Sequence, residues 1–81
     1  MKVLIIGAGK MGMAITRQLS EEGHDITLVD RDADKVKAAS DIYDVITLQG
    51  SGESFDVLRS AGVKDMDLLI AATGDDAVEH G

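Results

Sequence analysis

Short apolar runs alternate with amphipathic stretches along the chain, and this alternation constrains the fold more than any other feature. The runs KVLII, DITLV, DVITLQ and DLLIAAT are short and largely apolar, as strands buried on both faces are. The segments between them carry apolar residues at helical spacing. Alternating strands and helices form parallel sheets through right-handed crossovers. The sequence therefore predicts an α/β fold with a parallel four-stranded sheet, in the order 3-2-1-4, and helices on both faces.

Glycine and capping residues mark the ends of the predicted helices. The first helix has one apolar side, formed by Met11, Ile15 and Leu19, and Gly23 is placed to end it. Asp32 is placed to cap a second helix over residues 34–40. A third helix is expected to turn one side to the sheet and to end at Gly62. That side consists of Phe55, Val57, Leu58 and Ala61. Asp75 and Asp76 are predicted to cap a fourth helix.

Length and composition exclude several classes of protein. With 81 residues the chain forms one domain, 1–81, of modest stability. It has no cysteine, and His24 and His80 are isolated, so neither a thiolate site nor a histidine metal site is expected. A net charge of −7 and 2% aromatic residues argue against nucleic-acid binding. The apolar runs, such as Val3 to Ile6, are too short to span a bilayer, so a soluble protein is expected.

The glycines of the segment IGAGKMG form a G-x-G-x-x-G motif. Gly7, Gly9 and Gly12 follow a predicted strand, open a predicted helix and lie eighteen residues before an acidic residue that ends the second strand. In this setting the first glycine permits a tight turn, the second lets the backbone approach a pyrophosphate, and the third permits close helix packing. The helix N-terminus adds a partial positive charge. The motif predicts a Rossmann-like site for a dinucleotide or an ADP-like ligand; a turn that binds nothing is the alternative.

Asp30 stands where a carboxylate accepts hydrogen bonds from the adenosine ribose, and its charge would repel a 2′-phosphate. NAD, or ADP and ATP, is therefore expected to bind better than NADP. Arg31 could cover the adenine or reach a phosphate, and Lys10 could approach a phosphate; both could equally be solvated surface residues. No nucleophile and base are paired in the sequence, so no catalytic residue is predicted.

Beyond the glycine motif, the segments LVDRD and SAGVKDMDLLIAATGDD resemble the N-terminal nucleotide-binding domain of the Trk/RCK family. Members of this family are cytoplasmic regulators of potassium uptake systems and channels. They bind NAD(H), ADP or ATP in a Rossmann cleft and couple the bound species to opening of the ion pathway. The resemblance implies a cytoplasmic regulatory domain whose partners are an adenine nucleotide and, in the parent protein, a membrane potassium transporter or channel.

The resemblance also implies which residues form the nucleotide site. Gly7, Gly9, Gly12 and Asp30 would bind the adenosine diphosphate, with Arg31 and the segment after Gly50 near the adenine. The family often has an acidic and then a small residue after that glycine, whereas Ser51 and Gly52 follow it here. The expected cofactor is NAD, with ADP, ATP or AMP as alternatives. The predicted site consists of Gly7, Gly9, Lys10, Met11, Gly12, Asp30, Arg31, Gly50, Ser51 and Thr73.

A complete family domain continues through two further strands, so the chain is expected to be a truncated half domain. Two other functions stay open. The chain could be the cofactor-binding half of an NAD(P)-dependent dehydrogenase, or a designed Rossmann fragment without independent function. If a fifth strand is missing, the outer edge of strand four is uncovered, and neither lysine nor proline lies within residues 68–73. A symmetric homodimer through strand four is therefore expected; the alternatives are that the segment GDDAVEHG folds over this edge or that the charge of −7 keeps monomers apart.

Overall fold

The computed structural model describes residues 1–72, and the predictions for Thr73, Asp75 and Asp76 lie outside this range. Its elements are β1 (Lys2–Ile6), α1 (Lys10–Glu21), β2 (Asp25–Asp30), α2 (Ala33–Ile42), β3 (Ile46–Gln49), α3 (Phe55–Ser60), a 3-10 turn (Val63–Asp65) and β4 (Leu68–Ala71). The strands form one sheet in the order β3-β2-β1-β4, and every neighbouring pair is parallel. The predicted α/β fold and strand order are confirmed.

The two central strands carry the core, because both of their faces are covered. One face of β1 and β2 forms a cluster of Val3, Ile5, Ile26 and Leu28, against which residues of α1 such as Ile15 pack. The other face forms a second cluster of Leu4, Ile6 and Val29, which α3 covers through Val57 and Leu58. Strands β1 and β2 therefore read as continuous apolar runs, and the helices lie on both faces of the sheet.

The helices begin and end for the reasons that the sequence indicated. Gly23 adopts a φ of +88° after α1, and its N–H donates to the carbonyl of Ser20 at 3.1 Å. The side chain of Asp32 caps α2 by accepting from the N–H of Asp34 at 2.9 Å. Gly62 adopts a φ of +79° at the end of α3. These left-handed positions favour glycine because a Cβ would be strained there.

Helix α2 is longer than expected, and β3 is correspondingly shorter. The helix continues through Ile42, since Lys37 pairs with Asp41 at 3.2 Å and the N–H of Tyr43 donates to the carbonyl of Ala39 at 2.8 Å. The N–H of Val45 then donates to the carbonyl of Tyr43 in a turn, so β3 begins only at Ile46. The low helix propensity of serine and aspartate concealed this last turn.

Phe55 does not face the sheet as expected, because 82% of its surface is exposed. Helix α3 has six residues, fewer than two turns, and Val57 and Leu58 make its contact with the second cluster. Ala61, which follows the helix, packs there as well. Phe55, the first residue of this short helix, faces solvent. The prediction that it faces the sheet was wrong.

The outer strands of the sheet are much more exposed than the central ones. In β4, Leu68 is 40% and Leu69 is 50% exposed, and in β3 Ile46 is 68% exposed. Each of these strands has one hydrogen-bonded neighbour within the described residues. Among residues 1–72 no helix combines the length and the apolar character that crossing a bilayer would need.

Candidate functional site

A cleft of about 390 Å³ opens at the carboxyl ends of the strands. It is lined by Ile6, Gly7, Gly9, Val29, Asp30, Arg31, Lys35, Gly50, Ser51, Gly52, Glu53, Ala71 and Ala72. All four strands contribute to it through their last residues or the loops that follow. In a doubly wound sheet this is the edge where ligands bind, next to the point where the strand order reverses. Here that point lies between β1 and β4.

The glycine loop, which runs from Gly7 to Gly9 between β1 and α1, lines the cleft. Gly7 adopts a φ of +109°, and its N–H donates to the carbonyl of Val29 at 2.7 Å. Gly9 is the N-cap of α1, has a φ of −74° and a ψ of −165°, and offers no capping side chain. A Cβ on Gly12 would overlap the carbonyl oxygen of Gly7 and lie 2.8 Å from its carbon. The positive φ requires glycine at position 7, and the close approach of the Gly7 carbonyl requires it at position 12. The φ and ψ of Gly9, in contrast, are open to other residues.

Asp30 joins the glycine loop to the turn after β2. Its Oδ2 accepts a hydrogen bond from the N–H of Ala8 at 2.7 Å, and its Oδ1 accepts one from the N–H of Asp32 at 2.8 Å. The side chain is half-buried and lines the cleft. An ionised carboxylate has about four acceptor positions, so each oxygen retains capacity for a further donor. The carboxylate is therefore held in place and can still accept from a ligand.

The loop after β3 closes the third side of the cleft. The N–H of Gly50 donates to the backbone carbonyl of Asp30 at 2.9 Å, and Nε2 of Gln49 donates to the carbonyl of Arg31 at 3.1 Å. A Cβ on Gly50 would lie 2.7 Å from a methyl group of Val57, and one on Gly52 would overlap Ile6. Glycine at both positions therefore lets this loop lie close to α3 and to β1.

Among residues 1–72, the acidic and basic side chains that line the cleft are equal in number. Asp30 and Glu53 are acidic, while Arg31 and Lys35 are basic, so their formal charges cancel in a chain of net charge −7. The described part of the cleft is thus less acidic than the chain as a whole. Attraction of a phosphate would then depend on the loop backbone and on the partial positive charge at the N-terminus of α1, both of which favour anions. Within residues 1–72 no cluster of three or more His, Asp or Glu side chains could hold a metal ion.

The structure brings together six of the ten predicted site residues. Gly7, Gly9, Asp30, Arg31, Gly50 and Ser51 line the cleft. Lys10, Met11 and Gly12 belong to the first turn of α1 and are not among the lining residues. Met11 is 52% exposed, whereas Gly12 is buried beneath Gly7. The remaining predicted residue, Thr73, lies outside the described part of the chain.

Seven lining residues are not among the predicted site residues: Ile6, Val29, Lys35, Gly52, Glu53, Ala71 and Ala72. Lys35 lies in the first turn of α2, whose start follows β2 at the same edge of the sheet. A signal was available, because the first turn of a helix that follows a parallel strand is close to the carboxyl edge of the sheet. Gly52 and Glu53 stand in the GSGES segment, but its close approach to β1 is visible only in the fold.

Comparison with known proteins identifies the family. The model of the TrkA-N domain family matches residues 3–80. The Trk system potassium uptake protein TrkA of Halomonas elongata is 44% identical over 78 residues, which are 96% of this chain and 17% of that protein. The protein of the same name from Mycobacterium tuberculosis is 42% identical over 78 residues and is matched over 35% of its length. The chain thus spans about a sixth to a third of the length of these relatives.

A solved structure has the same fold. The structure described as Shewanella denitrificans Kef CTD in AMP bound form superposes with a TM-score of 0.74 at 27% identity. The match covers 98% of this chain and 48% of that one. Together with the sequence matches, it confirms the Rossmann-like fold and the resemblance to the Trk family.

Proposed function

Because the chain belongs to the TrkA-N domain family, we propose that it is a nucleotide-binding regulatory domain of a potassium uptake system or channel. Relatives at 40–44% identity are named as Trk system potassium uptake proteins, which supports the link to potassium. Their greater length leaves room for further domains. The proposed partner is a membrane potassium transporter or channel subunit, with this domain on its cytoplasmic side.

The observation that carries the proposal of nucleotide binding is the arrangement of one carboxylate and one glycine loop around the same cleft. Gly7 and Gly9 line it where α1 begins, and the held carboxylate of Asp30 lines it at the end of β2. A diphosphate fits the first position and a ribose the second. The Kef domain of the same fold was solved in an AMP-bound form, which supports an adenine nucleotide as the ligand.

The proposed ligand is NAD, with ADP, ATP or AMP as alternatives. In this proposal the phosphates lie against the backbone of Gly7 and Gly9, and the ribose hydroxyls donate to Asp30. The adenine lies between Arg31 and the loop of Ser51 to Glu53, which form the far end of the cleft. Lys10, Met11 and Gly12, in the first turn of α1, and Thr73 complete the proposed site.

We propose no catalysis at this site. Two observations support this: the Asp30 carboxylate is held by two backbone donors, and Glu53 is exposed. In this proposal a bound nucleotide contacts the loops that follow β1, β2 and β3 at the same time and holds them in fixed relative positions. A dehydrogenase half is the competing function, and consumption of NADH in the presence of candidate carbonyl substrates would establish it instead.

We expect the domain to bind NADH more tightly than NADPH. A 2′-phosphate would bring negative charge to Asp30 and remove a ribose hydroxyl that the carboxylate would accept from, a contact worth about 1–3 kcal/mol. Calorimetric titration with both cofactors measures the difference, and Asp30→Ala is expected to reduce it. Equal affinities of the unaltered protein for the two cofactors would contradict the role of Asp30 and point to Arg31 as a receptor for the 2′-phosphate.

We also propose that the chain forms a symmetric dimer through β4. This strand pairs with β1 alone within residues 1–72, and it exposes Leu68 and Leu69 at the edge of the sheet. An open edge offers backbone donors and acceptors to a second strand, and two copies related by a twofold axis can pair their edges antiparallel. The second copy would cover the exposed leucines as well.

Light scattering over a dilution series tests the dimer, with Leu69→Lys as the variant. An edge lysine disfavours strand pairing, and Leu69 is 50% exposed, so the substitution leaves the monomer fold in place. Proline at Ile70 is less suitable because Ile70 packs against the buried cluster of β1 and β2. We expect a dimer that Leu69→Lys dissociates. A monomer at all concentrations, or a dimer that the lysine does not weaken, would exclude pairing through β4.

A further inference from the structure

Asp30 is bonded to the loops after β1, β2 and β3, all of which line the cleft. Its carboxylate accepts from the N–H of Ala8 in the glycine loop at 2.7 Å and from the N–H of Asp32 in the turn before α2 at 2.8 Å. Its backbone carbonyl accepts from the N–H of Gly50, where the third loop begins, at 2.9 Å. One residue thus fixes the relative positions of the loops after β1, β2 and β3.

We infer that Asp30 is a positioning residue for the phosphate-binding loop, in addition to the ribose contact proposed above. The inference rests in part on the proposed function, since it assigns the loop of Gly7 to Gly9 to the phosphates. The positioning role and the ribose contact predict different results for a nucleotide that lacks the ribose hydroxyls. Asp30 would affect the binding of a nucleotide even when that nucleotide has no ribose hydroxyl to donate.

The burial of Ala8 supports this role. Ala8 is 4% exposed, and its N–H points to Oδ2 of Asp30. A buried N–H that loses its acceptor is costly, so the loop would move to regain a partner from water. Ala8 stands between Gly7 and Gly9, and any such movement displaces the two glycines that line the cleft. The carboxylate therefore holds the loop in the shape that the phosphates would meet.

The direction in which phosphate affinity changes when Asp30 is replaced distinguishes positioning of the loop from charge repulsion. Removing the negative charge of Asp30 should strengthen the attraction for a phosphate, because like charges repel. Loss of the loop geometry should weaken binding instead. Weaker phosphate binding in a variant that has lost a negative charge therefore indicates positioning.

The test uses Asp30→Ala, with Asp34→Ala as the matched control. Asp34 is an exposed acidic residue four positions along the chain, in the first turn of α2, and it does not line the cleft. Amide hydrogen exchange of the ligand-free proteins is measured first. We expect exchange at Ala8 to become at least about tenfold faster in Asp30→Ala and to be unchanged in Asp34→Ala.

Binding is then measured with ADP and with 2′,3′-dideoxy-ADP, which lacks both ribose hydroxyls. We expect Asp30→Ala to weaken binding of the dideoxy compound about tenfold or more, and binding of ADP by a larger factor. Unchanged or tighter binding of the dideoxy compound would overturn the inference while leaving the ribose contact intact. If the unaltered protein binds neither compound, the proposed function fails, and exchange at Ala8 alone decides whether Asp30 positions the loop.

A second variant covers the case in which Asp30→Ala does not fold. Asp30→Asn retains one acceptor oxygen but turns an NH₂ group toward the other backbone N–H, so one of the two side-chain bonds is lost. Exchange is expected to rise at Ala8 or at Asp32. Exchange as slow as in the unaltered protein at both amides would overturn the inference.

Discussion

Gly9→Val is expected to weaken nucleotide binding strongly while leaving the fold intact. The φ of −74° and ψ of −165° at Gly9 are extended values that valine adopts readily, and no side chain of this residue caps α1 in the unaltered protein. A β-branched side chain there would occupy the space that the phosphates need. We expect the affinity for ADP to fall roughly a hundredfold, about 2.7 kcal/mol, in a calorimetric titration.

The unfolding transition in urea is the control for this variant. The midpoint for Gly9→Val should fall only modestly, by the roughly 1 kcal/mol or less that separates glycine from valine at an N-cap, so the variant stays folded. Gly9→Ala places a single methyl group at the same position and should weaken binding by a smaller factor. ADP binding by Gly9→Val at the affinity of the unaltered protein would show that the phosphates bind elsewhere.

Gly12→Ala is expected to destabilise the fold severely. The added Cβ would overlap the carbonyl oxygen of Gly7 and lie 2.8 Å from its carbon, and both are backbone atoms that cannot rotate away. The glycine loop or the start of α1 would have to shift. We expect a loss of about 3 kcal/mol or more in the free energy of unfolding, measured in urea, the upper range for overpacking. A domain of this size has about 4–12 kcal/mol in all.

Gly23→Ala provides the matched comparison. Gly23 has a φ of +88°, but a Cβ there would meet nothing within 4 Å. Its replacement adds backbone strain alone, about 1–2 kcal/mol. Gly12→Ala should therefore cost clearly more than Gly23→Ala. Equal costs would mean that the loop yields easily and that close packing at Gly12 does not explain the third glycine of the motif.

The fold was predictable because its signals are local and repeated. Val3, Leu4 and Ile5 form a continuous apolar run that only a strand covered on both faces can bury, and the structure places them at the centre of the sheet. Gly23 and Asp32 mark helix ends through their own backbone conformation or side-chain bond. Such features depend on a few neighbouring residues, so the sequence alone is sufficient to predict them.

The parts that escaped prediction depend on contacts between distant segments. Phe55 looks like a core residue by its type, and only the length of α3 and the positions of Val57 and Leu58 leave it exposed. Lys35 reaches the cleft because α2 begins beside β2, and Gly52 because its loop lies against Ile6. For Lys35 the position of α2 directly after β2 already indicated this edge of the sheet, whereas the contact of Gly52 with Ile6 is visible only in the fold.

The residues of the cleft were predicted only in part, because contacts between distant segments bring some of them together. The G-x-G-x-x-G motif and the acidic residue that ends β2 have a fixed spacing, and the sequence could assign Gly7, Gly9 and Asp30 to one edge of the sheet. The two bonds that the Asp30 carboxylate accepts from Ala8 and Asp32 are visible only in the structure. They give this residue a role that the motif does not indicate.

The proposed function requires that the cleft at the carboxyl ends of the strands bind an adenine nucleotide. The most direct measurement is an amide chemical-shift titration of the ¹⁵N-labelled protein with ADP. We expect saturable shifts centred on the residues that line the cleft, above all Gly7, Gly9, Asp30, Arg31 and the segment of Gly50 to Glu53, with smaller shifts at their neighbours and none in residues remote from the cleft. Absence of saturable shifts at millimolar ADP, or shifts centred away from this cleft, would contradict it.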